Sequence, residues 1–304
     1  MTALAAAPLA IRAPLARERL SRRRRWTEKV AAASLGVACL AALLPLGSLI
    51  WTVLSRGLAR LDTTFFTQSL RGVVGAGGGA LHAIVGTALI TVLTALIAVP
   101  VGLLTAVYLV EYGRGWFPRA VTFLVDVMTG LPSIVAGLFA YAVFSLILGP
   151  GARSGLAGAV ALSLLMTPVV VKAGEEMLRL VPTDLREAAL GLGAPTYRVV
   201  LKVVLPTARS GLISAVMLGL ARIVGETAPL LLVAGFTDSM NYDPLHNRMA
   251  TLPVYIYSQW QNKGTDAAAY DARAWTAALV LIVFVLAIHL LARLAGRLLA
   301  PKTR

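Results

Sequence analysis

The chain has 304 residues, 58% of them hydrophobic and only 14% charged, at a mean hydropathy of +0.79. A soluble domain has about a quarter of its residues charged, so this composition excludes a soluble enzyme or binding module and indicates an all-α polytopic membrane protein. The formal charge of +14 does not indicate nucleic acid, because the basic residues lie in short segments beside apolar runs, and the single cysteine, Cys39, excludes an internal disulfide or a cysteine metal site.

Residues 1–29 are polar and basic, with Arg22 to Arg25 and Lys29, and read as a cytoplasmic tail. The apolar run from Val30 to Leu54 exceeds the about 7–15 residues of a cleaved signal-peptide core. Val37-Ala38-Cys39 has the look of a lipoprotein cleavage site, but Gly36 fits poorly and the apolar run continues beyond it. The segment therefore reads as a first transmembrane helix with Trp26 and Trp51 at its interfaces, and 30–80 as that helix plus an external loop. The glycine-rich end of the loop, Gly75 to Gly79, lacks the Gly-Lys-Ser/Thr of a phosphate-cradling loop and reads as a flexible connection.

Residues 81–298 read as a core of five further spans. The second runs from His82 to Tyr112 with Pro100 inside, and the third from Pro118 to Leu148, kinked at Pro132. The fourth runs from Ser154 to Met177, the fifth from Ser210 to Phe236 and the sixth from Ala274 to Leu298, before a short tail, 299–304. Six spans place both termini on one side. Of 28 Lys and Arg, seven (Arg56, Arg60, Arg71, Arg153, Arg248, Lys263, Arg273) lie in the segments 55–80, 149–153 and 238–273. The positive-inside rule makes those segments external and both termini cytoplasmic.

Between the fourth and fifth spans, 184–206 is too polar to cross a bilayer yet helix-forming. Asp184 and Glu187 mark a helix start, Gly193 a stop, Pro195 a second start and Pro206 its end. A basic helical hairpin beside the membrane is the shape of a docking surface; a merely solvated helical loop is the other reading.

Arg222 and Glu226 lie near the middle of the fifth span, where a charge costs about 2.5–3.5 kcal/mol and must face protein or a wet path. Their i,i+4 spacing predicts a shared helix face, and Pro229 weakens the helix beside Glu226. Two readings stand: a buried pair locking helices, or an Arg222 that binds a passing anion with Glu226 holding or releasing it. Asp126, Thr129, Gly130, Ser133 and Gly137 recur on one face of the third span, as a pore stripe or as small-residue packing. Lys172, Glu175 and Glu176 are expected to snorkel to the cytoplasmic surface. His82, His246 and His289 are isolated, so no metal set and no cofactor are predicted.

The hairpin carries Glu187-Ala188-Ala189, then Gly193, Val203 and Leu205-Pro206. This spacing resembles the coupling loop of inner-membrane permeases of ATP-binding cassette importers, with Val203 in place of isoleucine the only departure. Ala221 to Leu231 (ARIVGETAPLL) resembles the fifth-helix signature of the PstA-type permeases of phosphate importers, where the PstC-type partner has Met-Ala at the Ala228-Pro229 position. Leu131 to Leu138, Leu252 to Tyr257 and Ala274 to Leu281 extend that resemblance over about residues 80–298. It implies a pore subunit, not an enzyme, paired with a PstC-like permease, above a cytoplasmic ATPase dimer and below an extracytoplasmic phosphate-binding protein. Glu187, Ala188, Ala189, Gly193, Leu205 and Pro206 would couple to the ATPase. Arg222, Glu226, Thr227, Asp126 and Ser133 would line the path, with Pro132 and Pro229 as kinks. Sulfate or molybdate import, a secondary anion transporter and, last, an intramembrane enzyme are the competing readings.

Overall fold

A computed structural model describes residues 22–264 and 266–298; the readings made on the tail before Arg22 and on 299–304 lie outside the described residues. Every regular element among them is helical. The first helix, α1 (Arg22–Gly57), is a unit by itself as far as Trp51, and Thr52–Arg304 forms the second unit. Trp26 and Trp51 stand about 37 Å apart along α1 at 1.5 Å per residue, a bilayer's width with its interfaces.

In the second unit, α2 (Thr63–Thr67) is capped by Asp62, whose carboxylate accepts from Phe65 N–H at 2.7 Å. The long helix α3 (Leu81–Val107) runs through Pro100 and ends in a π-turn, Tyr108–Tyr112. The helix α6 (Gly155–Arg179), capped by Ser154, is the hub. It packs against α3, against α4 (Phe117–Thr129) and α5 (Ser133–Leu148), and against α9 (Leu205–Val224) and α10 (Ala228–Val233). Close approach needs small residues, since apolar burial drives no association within lipid. A Cβ on Gly102 of α3 would lie 2.7 Å from Val170 Cγ1 of α6, and one on Gly219 of α9 would lie 3.0 Å from Met166 Cγ. The helix α12 (Ala267–Leu298) starts seven residues before the apolar run that predicted it, and meets the end of α1 through Thr276 Oγ1, which donates to Gly57 O at 2.9 Å.

Among the described residues, five helical segments are long and apolar enough to cross a membrane: Trp26–Arg60, Leu81–Tyr112, Gly155–Arg179, Thr196–Val224 and Ala267–Leu294. The predicted third span is not one kinked rod: α4 and α5 meet at 106° across Gly130–Pro132 and supply a sixth crossing only if the bent pair counts as one. Pro132 cannot continue α4 and becomes the N-cap of α5, with φ −59° and ψ 136°. The predicted stripe from Asp126 to Gly137 is therefore not one face.

Two of the predicted external segments are built. Segment 238–273 contains α11 (Leu252–Gln261), whose Leu252 and Tyr255 are fully buried. The glycine-rich stretch is no loose connection, because its carbonyls are held by two guanidinium groups. Arg60 donates to Gly77 O (2.9 Å) and Gly78 O (3.1 Å), and Arg273 donates to Gly75 O (2.8 Å) and Gly77 O (3.0 Å).

The segment before α11 lies directly on α3. Thr87 Oγ1 accepts from Leu252 N–H at 2.8 Å, and a Cβ on Gly86 would lie 2.0 Å from Ala250 O. Backbone on both sides leaves no flexible atom to yield. Gly86→Ala is expected to destabilise the protein by about 3 kcal/mol through overpacking, read as a lowered unfolding temperature in detergent. An unchanged transition would show that α3 and the loop separate freely.

Candidate functional site

The hairpin's first arm, α7 (Thr183–Gly191), begins after Pro182 with no side-chain cap, so Asp184 sits inside the first turn and does not cap it. Its carboxylate still complements the helix dipole. The arm ends as predicted. Gly193 has φ +79°, its N–H donates to Leu190 O (2.9 Å), and Ala194 N–H donates to Ala189 O (3.2 Å). This is a Schellman stop, and the left-handed residue strongly prefers glycine.

The second arm departs from expectation. After Pro195 it runs through α8 (Thr196–Val199) and a π-turn, Val200–Val204, straight into α9. Pro206 does not close it. The wider turn lets Leu205 N–H reach Val200 O, so the missing N–H and bulky ring of Pro206 fall in the first turn of α9, where they are tolerated. The arm and the fifth apolar segment are one continuous helical run, Thr196–Val224.

Val181, Val199, Val204 and Ala208 bury the hairpin's inner side against Ala106 and Leu178, with Ala189 and Leu205 packed at the edge. Its outer side carries exposed Glu187, Ala188, Gly193 and Pro206 beside exposed apolar residues: Leu185, Leu190, Leu192 (90% exposed) and Tyr197. Arg186, absent from the sequence reading, anchors the arm. Its guanidinium reaches Glu111 Oε1 from Nε (3.2 Å) and Nη2 (3.0 Å), Val181 O (2.7 Å) and Leu178 O (2.8 Å). Glu111 lies in the π-turn ending α3, and both side chains are largely buried. The only local signal was the adjacency of Arg186 and Glu187; the partner is 75 residues away.

From this end of the bundle a cleft of about 550 Å³ leads to Asp126, lined also by Arg119, Thr122, Glu175 and Arg179. Lys172 pairs with Asp126 and ties α6 to α4, while Arg179 pairs with Glu175 at 2.6 Å. Arg119 has no acidic partner among the described residues, so the cleft keeps an unbalanced positive charge.

Arg222 and Glu226 do not share a helix face. The helix α9 ends at Val224, Gly225 caps it, and Glu226 N–H donates to Ile223 O at 3.2 Å. No ion pair joins them among the described residues; Arg222 is exposed, and Glu226 and Thr227 are half-buried. The break was legible in Pro229, which sits in the first turn of α10. A Cβ on Gly137 of α5 would lie 2.7 Å from Pro229 Cα, so the break before α10 packs beside the first turns of α5, near half-buried Ser133. Gly219 fixes the depth: it abuts Met166 and Val170 in the middle of α6, and Arg222 follows within one turn.

The profile of the family "Binding-protein-dependent transport system inner membrane component" matches residues 98–304. The chain is 46% identical over 288 residues to "Phosphate transport system permease protein PstA 1" of Mycobacterium tuberculosis (strain ATCC 25618 / H37Rv), covering 94% of this chain and 92% of that protein. It is 38% identical over 247 residues to the "Phosphate transport system permease protein PstA" of Pasteurella multocida, covering 81% and 86%. Its fold is similar to a chain of the inward-facing MetNI methionine ABC transporter (TM-score 0.57, 22% identity, 80% of this chain and 100% of that one). It also resembles a bacterial alginate ABC transporter chain (TM-score 0.63, 16% identity, 93% and 98%).

Proposed function

The chain belongs to the family of binding-protein-dependent transport system inner membrane components, and from that premise we propose how it serves as the pore-forming permease of a phosphate importer. It is a multi-pass inner-membrane transport subunit, not an enzyme; ATP hydrolysis belongs to a separate chain of such a system. A second permease, an ATPase and a substrate-binding protein complete it. In the finer reading the second permease is PstC-like, the ATPase dimer docks on 184–206 from the cytoplasm, both termini are cytoplasmic, and 81–298 is the functional core.

One observation carries the pore reading. Arg222 at mid-bundle, with Asp126 and Lys172, is exposed on a chain otherwise apolar enough for lipid. Charges at that depth do not face hydrocarbon. They face a partner chain or a wet path, and a half of a two-chain pore supplies both. The breaks at Gly130–Pro132 and Gly225–Thr227 agree, since interrupted helices are tolerated where they line a cavity. Arg222 offers a planar, always charged donor to an oxyanion, and Arg119, in the cleft toward the hairpin, adds a second one.

Alternating access follows from the continuity of the second arm with α9. Force on Glu187, Gly193 and the exposed leucines turns the rod Thr196–Val224, which carries Arg222 near its far end. Closure of the ATPase dimer thereby reorients the site, and hydrolysis resets it. Cells lacking this chain are expected to lose uptake of labelled phosphate at micromolar concentration while sulfate uptake is unchanged, and the intact chain should restore it. Loss of sulfate uptake instead would retain the permease and replace the cargo.

A further inference from the structure

At the opposite end of the bundle from the hairpin, where α3 begins, Arg273 in the second turn of α12 is only 1% exposed. Its Nε donates to Gln259 Oε1 at 2.7 Å, its Nη1 donates to the Gly75 and Gly77 carbonyls, and its Cζ lies 4.3 Å from the centre of the Tyr270 ring. The guanidinium is thus fixed. Its Nη2 has no protein acceptor, and no carboxylate lies within 4.0 Å of the group, among the described residues. A buried cation with no carboxylate in contact is unfavourable unless a ligand supplies the contact, and Asp238, on the same cavity, acts on it only at longer range. Beside it opens a cavity of about 280 Å³, lined also by Ser258, Gln259, Asn262, Tyr270 and Asp238.

We propose that this cavity is a second oxyanion site, distinct from Arg222, in which Arg273 Nη2, the Ser258 hydroxyl and the Asn262 carboxamide hold a protonated tetrahedral oxyanion of the phosphate class at the external mouth. The choice of phosphate rests on the permease reading above. Asp238 decides the class. A carboxylate repels an anion unless it accepts a hydrogen bond from it; hydrogenphosphate carries an O–H for that purpose and sulfate carries none at neutral pH. Burial raises the Asp238 carboxyl above its ordinary range, with Arg273 pulling the other way, so the carboxyl is suited to sharing a proton. The sequence placed Arg273 among external loop charges; only the fold of 68–80 over α11 and α12 buries it.

The test is equilibrium binding of labelled inorganic phosphate and sulfate to the complete transporter in lipid nanodiscs, without its binding protein and carrying Arg222→Gln. One phosphate is expected to remain bound. Ser258→Asp or Asn262→Asp, which add a negative charge and leave every Arg273 hydrogen bond in place, should weaken it at least tenfold, and Asp238→Asn should admit sulfate. Phosphate binding unchanged within twofold by both aspartate variants would overturn the site and leave the permease reading intact. Sulfate binding that the aspartate variants abolish, with no phosphate bound, would keep an anion site there, overturn the Asp238 assignment and remove the phosphate reading.

Discussion

Replacing Arg186 with alanine is expected to reduce phosphate uptake at least tenfold while the protein still reaches the membrane in normal amount. The Arg186 guanidinium joins the first hairpin arm to α3, through Glu111, and to the end of α6 and the residues after it, through the Leu178 and Val181 carbonyls. Removing one member of a largely buried charge pair costs about 3–5 kcal/mol, because the other is left without a partner. The core centred on Met166, Val170 and Ile223 is untouched, so the loss falls on the hairpin and not on the fold. Limited proteolysis should show faster cleavage between 183 and 195. Arg186→Lys should recover only part of the activity, since one ammonium cannot span three acceptors set for a planar fork. Exchanging the pair, Arg186→Glu with Glu111→Arg, should not rescue, because a carboxylate at 186 would face two carbonyl oxygens. Full uptake in Arg186→Ala would mean that the hairpin transmits force through α9 alone.

The second large effect is expected at Arg222. Arg222→Gln should abolish uptake, by about a hundredfold or more, with normal assembly and intact ATPase docking. The side chain is exposed and makes no ion pair among the described residues, so its removal leaves no orphaned carboxylate and the fold loses little. On the proposed reading the variant removes a charge-assisted contact to cargo, of which Arg222→Lys should retain a small part. The discriminating measurement pairs uptake with thermal unfolding of the purified complex. Lost uptake at an unchanged transition assigns Arg222 to the path; a transition lowered together with uptake would assign it to the contact with the second permease.

Much of this was legible without coordinates, because the deciding signals were local. Long apolar runs state what lies in lipid, Gly193 states a left-handed stop, and Pro132 and Pro229 state where helices fail. The hairpin's place between two apolar runs made it a docking candidate from spacing alone.

What local pattern could not decide was pairing across distance. An i,i+4 spacing predicts a shared face only while the helix continues, and α9 ended between Arg222 and Glu226. Pro206 read as a stop because nothing local announces a π-turn that absorbs it. The Lys172–Asp126 pair was not legible because the two residues lie 46 positions apart, on α6 and α4. Apolarity and backbone sterics are properties of neighbours along the chain, so the sequence by itself determined the membrane class, the hairpin and the breaks. Charge partners are chosen by which helices pack together, so only the tertiary structure decided that Arg186 anchors the hairpin, that Arg222 forms no ion pair among the described residues, and that Arg273 is buried beside a cavity.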